Sequence, residues 1–233
     1  MLNSFEQYSK LAELLVYPGP DFKEQVKEVT LWLDQRYPEP AAHLHKFSDF
    51  VANATQIELE ELYTRSFDVQ AATTLDLGYV LFGDDYKRGA VLVGLNSEHK
   101  EAGIDCGGEL ADHLPNILRL LHKMQKPEIR AELVEKIIAP AIKKIINEFQ
   151  PQKIEAKEAV YKKHHKTIIE KSQKYSTIYQ QPLKTVYDVL KHDFDFQEYE
   201  MPAKGADFIK SVGSEMKIEA EHNSQERQNN GCT

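Results

Sequence analysis

The chain has 233 residues, 41% hydrophobic and 28% charged, with a formal net charge of −8. That composition describes one ordinary globular domain with length to spare for a tail, and the acidic balance argues against a general nucleic-acid binder, which needs a basic surface to release phosphate counterions. Two cysteines, Cys106 before Gly107-Gly108 and the penultimate Cys232, do not make a disulfide framework, and no apolar run approaches the roughly 18 residues of a membrane span.

Helical periodicity dominates from the start. Leu2, Phe5, Tyr8, Leu11, Leu14 and Leu15 form a first stripe, ended by Pro18-Gly19-Pro20. This opening segment carries Glu6 and lacks the basic start and continuous apolar core of a signal peptide, so a cytoplasmic location is expected. A second helix follows Asp21, with Phe22, Val26, Val29 and Leu33 inward, and stops near Pro38 and Pro40. Ala41, Leu44, Phe47 and Val51 mark a third helix, and Ile57, Leu59, Leu62, Tyr63 and Phe67 a fourth. The short apolar run from Leu75 to Phe82 has strand-like content but no partner strand, and is expected to be helical. Gly83-Asp84-Asp85 breaks it, and Tyr86 to Lys100 is a further helix burying Val91, Leu92 and Leu95.

Ala102 to Gly108 reads as a glycine-rich loop. In the next helix Leu114, Ile117, Leu118, Leu121 and Met124 form one buried stripe, with Asp112 expected as its N-cap and Pro115 in its first turn. Pro127 and Pro140 each suit the first turn of another helical piece, lined by Ile129, Leu133 and Ile137 and by Ala141, Ile142, Ile145, Ile146 and Phe149. Beyond Pro151 the stripe thins to Val160, Ile168 and Ile169, then recovers at Ile178, Leu183, Val186, Tyr187 and Leu190. From about Met201 the polar composition cannot offset the cost of ordering the backbone, roughly 1–2 kcal/mol per residue.

Charge divides the chain in the same places. Residues 1–152 carry 16 basic and 24 acidic side chains, residues 153–191 nine and four, and residues 192–233 four and nine. The expected architecture is an all-α, single-domain bundle of about eight or nine helices over residues 1–150. A basic helical arm over 151–200 and a disordered acidic tail over 201–233 follow it.

Familiar chemical motifs are missing. His43 and His45 point to different faces of a helix, and His164 and His165 sit among lysines that repel cations. There is no Cys-x-x-Cys, His-Glu-x-x-His or paired Glu-x-x-His, so no metal or cofactor is expected. No strand leads into Asp105-Cys106-Gly107-Gly108-Glu109 and no lysine follows its glycines, so it is no phosphate loop. No nucleophile elbow surrounds Ser66 or Ser97.

What remains is a set of polar and aromatic residues near loops. Glu109, Asp112 and His113 gather three ionisable groups at the approach to a helix that needs only one of them for capping. Tyr63 and Phe67 are spaced to share a helix face, Asp68 follows at that helix end, and Tyr79 lies in the next apolar run.

Three of these segments carry a resemblance. Glu61-Leu62-Tyr63-x-x-x-Phe67-Asp68, then Leu81-Phe82-Gly83-Asp84-x-x-x-Arg88-Gly89, then Glu109-Leu110-x-Asp112-His113-Leu114-Pro115 is similar to the NarJ/TorD/DmsD family. Its members are all-helical chaperones for molybdenum-containing oxidoreductases. The likeness covers residues 5–150 and is greatest to the NarJ branch, which assembles respiratory nitrate reductase. Ala111 stands where the family pattern commonly has a proline beside the Asp-His pair, while Pro115 is kept. The resemblance implies a binding protein, not an enzyme. Its partner is the N-terminal leader of a molybdenum catalytic subunit, which the chaperone holds for cofactor insertion before docking or export. No nucleic acid or membrane insertion is implied, and the chaperone is expected as a monomer or weak dimer.

A client leader of this kind is short, amphipathic and basic. Tyr63, Phe67 and Tyr79 then form an apolar wall for it, Glu109 and Asp112 meet its cations, and Asp68 belongs to the same site. His113 and Pro115 complete the site, the histidine being the side chain that changes charge near neutral pH. The alternatives from other classes are a small metal-dependent hydrolase using Asp112 and His113, and a helical adaptor docking an acidic partner through the basic arm.

Overall fold

The computed structural model describes residues 5–165 and 176–196. It is all-α, with no strand among the described residues. Helix α1, Glu6–Ala12, continues through a 3₁₀ turn, Glu13–Leu15. Helices α2, Phe22–Arg36, and α3, Pro38–Asn53, form an antiparallel hairpin whose tight joint depends on Pro38, which opens α3 without wasting an amide. The expected stripes Phe22, Val26, Val29, Leu33 and Ala41, Leu44, Phe47, Val51 are all buried between and beneath them. Helix α4, Gln56–Phe67, opens with a reciprocal cap. The Glu58 amide donates to Thr55 Oγ1, and Glu58 Oε2 accepts from the Thr55 amide. Ile57, expected inside, lies in the first turn of α4 and is 75% exposed; the buried face runs through Leu59, Leu62, Tyr63, Ser66 and Phe67.

The apolar run after Thr74 is helical as expected, giving α5, Leu77–Phe82. Helix α6, Tyr86–Ala102, closes on Gly103, whose φ of +66° is the left-handed cap that favours glycine. Of its expected inner face only Leu95 is fully buried, while Val91 and Leu92 are half-buried. Helix α7, Leu114–Lys123, packs along α1 and supplies the densest stretch of core, Leu114 to Leu118 with Leu120 and Leu121.

Helices α8, Pro127–Leu133, and α9, Ala139–Glu148, are joined without interruption by a π-helical turn, Val134–Ile138. The expected inner face of Ile129, Leu133 and Ile137 is one residue out of register. Arg130, Val134 and Ile138 are the buried set, and Ile129 is exposed. Arg130 explains the shift: its guanidinium lies 4.1 Å over the Phe5 ring and donates to the Met124 carbonyl, so a cation with an apolar stem fills an inward position.

The boundary placed at residue 150 does not survive. Helix α10, Pro151–His165, begins against the body: Lys157 is buried, donates to the Ala72 carbonyl and lies 2.6 Å from Glu148, which also takes Lys153 at 2.7 Å. Helix α11, Gln180–Phe194, packs on α3 and α9 with Leu183, Val186, Val189 and Leu190 fully buried. Tyr179 just before it sits in the middle of the aromatic core. Asp193 near its end accepts from Gln7, Tyr8 and Tyr37 at 2.7–3.3 Å, clasping α1, the α2–α3 joint and α11 together. The second half of the expected arm is thus core, because its recovered apolar stripe is buried against α3 and α9. The expected acidic tail, 201–233, and Ile168 and Ile169 lie outside the described residues.

Candidate functional site

The site is built where three segments meet: the start of α5, the first turn of α6, and the loop leading into α7. Backbone comes first. The Leu77 amide donates to the Asp112 carbonyl and the Leu114 amide to the Leu75 carbonyl, a single antiparallel bridge between Asp76 and His113. The loop is pinned from behind. Asn116 donates to the Cys106 and Leu110 carbonyls, and buried His99 meets the Ala111 carbonyl through Nε2 at 3.0 Å. Burial pushes His99 below the ordinary imidazole range, against the pull of that carbonyl, so its Nε2–H is the donor of a neutral ring.

Asp112 is fully buried, and it does not cap its own helix. His113 occupies the N-cap position of α7 with no side-chain cap. The Asp112 carboxylate instead turns to α5 and accepts the Gly78 amide at Oδ2, 3.0 Å, two residues into that helix. The expected N-cap is therefore a cap lent to a neighbour. Asp76, in the N-cap position of α5, makes no cap of its own; its oxygens go to His113 Nδ1 at 3.1 Å and Arg88 Nη2 at 3.3 Å.

Arg88 reaches in from α6 between the two aspartates. Its Nε lies 3.6 Å from Asp112 Oδ2, outside hydrogen-bonding range, and its guanidinium carbon lies 5.2 Å from the centre of the Tyr79 ring. Two buried polar atoms end without hydrogen-bond partners here, Asp112 Oδ1 and Arg88 Nε. Burial first, then repulsion from Asp76, raises the Asp112 carboxyl above the usual aspartate range; Arg88, the Gly78 amide and Asp112's own amide oppose this without cancelling it. Gly78 is a steric requirement of the cluster. A Cβ there would lie 2.7 Å from Asp112 Oδ2 and 3.2 Å from Arg88 Cγ.

The expected site residues divide into two groups. Tyr79, Glu109, Asp112 and His113 gather around Asp76 and Arg88, with the Glu109 carboxylate 3.8 Å from His113 Nδ1 and 63% exposed. Pro115 is buried in the first turn of α7 and serves the helix start. Tyr63 and Phe67 belong to the core, at 8% and 9% exposure, with their rings edge-on to each other and to Tyr179. They form no open wall, because Tyr179 from the supposed arm covers them. Asp68 follows them at the exposed C-cap of α4. Tyr63 still senses the acidic cluster: burial first, then Glu109, Asp68 and Asp76, pushes its phenol well above the ordinary value.

Asp76, Gly78 and His99 were not singled out by their sequence context. Gly78 alone carried a signal, a lone glycine inside an apolar helical run, which ordinarily marks close packing. Among the described residues no group of three or more His, Cys, Asp and Glu side chains is arranged to hold a metal ion, and no helix is long and apolar enough to cross a membrane. No protein-family model matches the chain, and no curated protein does either.

Proposed function

We propose that this protein is an assembly chaperone that binds the basic N-terminal leader of a molybdenum oxidoreductase catalytic subunit, of the nitrate reductase kind, and holds it during cofactor insertion. The observation that carries the reading is convergence. Two of the three segments that resemble the NarJ/TorD/DmsD pattern, one carrying Arg88 and one holding Glu109 to His113, meet at a single acidic cluster. The third, which ends at Asp68, does not join it: its Tyr63 and Phe67 are packed in the core against Tyr179.

The chemistry of the cluster suits a cationic peptide. Asp76, Glu109 and Asp112 outnumber the one guanidinium among them, and Glu109 stands in solvent to make first contact. Charge-assisted hydrogen bonds from a leader's lysines or arginines are the stronger kind of hydrogen bond. A chaperone must also release its client, so affinity of about 1 µM, roughly −8 kcal/mol, is what the task requires. A metal-dependent hydrolase is disfavoured by Arg88, whose positive charge occupies the place a metal ion would take beside Asp112. Lys153 and Lys157, at the start of the basic stretch, are engaged with Glu148 and are not available to dock an acidic partner.

Co-expression with a nitrate reductase-type catalytic subunit, intact or lacking its N-terminal leader, tests the reading. The intact subunit should co-purify with this chain and the truncated one should not. Equal recovery of both, or of neither, would overturn it.

A further inference from the structure

Arg88 sits in the cluster badly. A guanidinium that belongs with a carboxylate makes two parallel bonds to it at about 2.7–2.9 Å. Here it is divided between two carboxylates, 3.3 Å from Asp76 and 3.6 Å from Asp112, and its Nε has no hydrogen-bond partner. Opposite it, Asp112 is wholly buried with Oδ1 unpartnered, an acceptor withdrawn from water and left unused. Both defects are of one kind: a donor and an acceptor, side by side, that do not satisfy each other.

The helix that carries Arg88 is also the least anchored along this edge. Leu95 and His99, in the C-terminal half of α6, are its only fully buried residues, while Tyr86 and Val93 stand 82% and 72% exposed. The backbone of the first turn is capped by Asp85, which accepts the Lys87 amide, while the Arg88 side chain itself is held by the ring of Tyr79 and by the two aspartates. Asp84 and Asp85 just before it are exposed, adding negative charge at the same edge.

We propose that Arg88 is a built-in placeholder: in the free protein its guanidinium occupies a cation subsite between Asp76 and Asp112, and a client arginine takes that subsite by displacing it. The proposal rests on the leader-binding reading and adds to it a recognition rule, a guanidinium, and a gate, the first turn of α6. In the free chain the placeholder keeps the buried carboxylates from standing bare. In the complex the incoming arginine approaches Asp112 and Asp76 with its own fork geometry, and Arg88 moves to solvent near Asp84 and Asp85.

Such a gate lowers apparent affinity by the fraction of molecules in which it stands open, so removing it tightens binding by the inverse of that fraction. With the full chain, a synthetic leader peptide containing one arginine, and the same peptide with that arginine replaced by glutamine, Arg88→Gln should bind the arginine peptide about tenfold more tightly than the natural protein if the gate is open about a tenth of the time. It should show no such gain for the glutamine peptide. Wild-type binding with no gain in Arg88→Gln, or an equal gain for both peptides, would overturn the placeholder and leave the leader-binding reading standing. Binding by neither protein would overturn both. The natural chain supplies a second readout that needs no variant. The Arg88 Nε–H, withdrawn from solvent in the free protein, should exchange slowly there and rapidly once the arginine peptide saturates the chain; slow exchange retained in the complex contradicts displacement.

Discussion

Asp112 joins two roles that pull against each other, a helix cap and a buried charge. Because its carboxyl is held above the usual aspartate range, its contribution to stability declines as pH rises from the ordinary value through the raised folded value, and is level above that. Asp112→Asn keeps an oxygen for the Gly78 amide and removes the buried charge, so it should be no less stable than the natural protein at neutral pH. Asp112→Ala leaves that amide without an acceptor and should lose about 1–3 kcal/mol. Urea denaturation of the two variants separates them, and equal losses would contradict the capping geometry. For leader binding the order differs: both variants should weaken it, by roughly tenfold or more for one charge-assisted bond. Gly78 makes a second case at this scale. In an ordinary helix Gly→Ala gains up to about 1 kcal/mol. Here the new methyl meets Asp112 Oδ2 at 2.7 Å, so Gly78→Ala should be destabilising by about 1–3 kcal/mol instead, measurable by thermal melting.

At the scale of elements, the divergence between α4 and α5 decides which aromatics can belong to a site. Phe67 is enclosed by Tyr63, Phe149 and Tyr179, so Phe67→Ala should cost about 3–5 kcal/mol, and any loss of binding in it would reflect damage to the fold. Tyr79 is half-buried against Arg88, so Tyr79→Ala should keep most of its stability while altering leader affinity; a loss as large as that of Phe67→Ala would place Tyr79 in the core as well. The apolar spacing of the sequence located the buried faces of α2, α3 and α7, because each has a full stripe against a neighbour; in α9 and α11 it found most of the stripe, but Ile146 and Tyr187 are only half-buried and fully buried Val189 went unmarked. It misjudged α8 because a buried arginine looks polar in one dimension, and Ile57 because a first-turn residue can follow the stripe's spacing yet face out. Tyr63 and Phe67 looked like a wall because their cover, Tyr179, comes more than a hundred residues later. The Asp76–Arg88–Asp112 contact was illegible for the same reason, being made by side chains from three segments with no local periodicity to betray it.

For the whole molecule, the decisive feature is closure by α11. A chain expected to end its folded body at 150 instead returns to lay Leu183, Val186 and Leu190 on α3 and α9, and fastens Asp193 to Gln7, Tyr8 and Tyr37. Burial and Asp193 together push the Tyr37 phenol to about 12. Glu148 contributes a second fastening. Burial alone would raise its carboxyl, but Lys153 and Lys157 more than offset that and hold it below the ordinary glutamate value. Its stabilisation is therefore present above the ordinary glutamate range and lost as pH falls through the lowered folded value. Lys157→Met should leave Glu148 partly buried with one cation fewer, destabilise the protein by about 3 kcal/mol, and shift acid unfolding to higher pH, checked by circular dichroism across a pH series.

Under the proposed function, the acidic cluster of Asp76, Glu109 and Asp112 is where a leader peptide should land. Amide resonances of the natural protein, followed while a basic leader peptide of a molybdenum catalytic subunit is titrated in, test this directly. Shifts should concentrate on Asp76 to Tyr79, Asp84 to Arg88 and Glu109 to His113, saturate in the micromolar range, and leave α3 and α11 unmoved. Saturable shifts centred on α3, α11 or the lysines of α10, or none at all, would contradict a leader-binding chaperone with its site at this cluster.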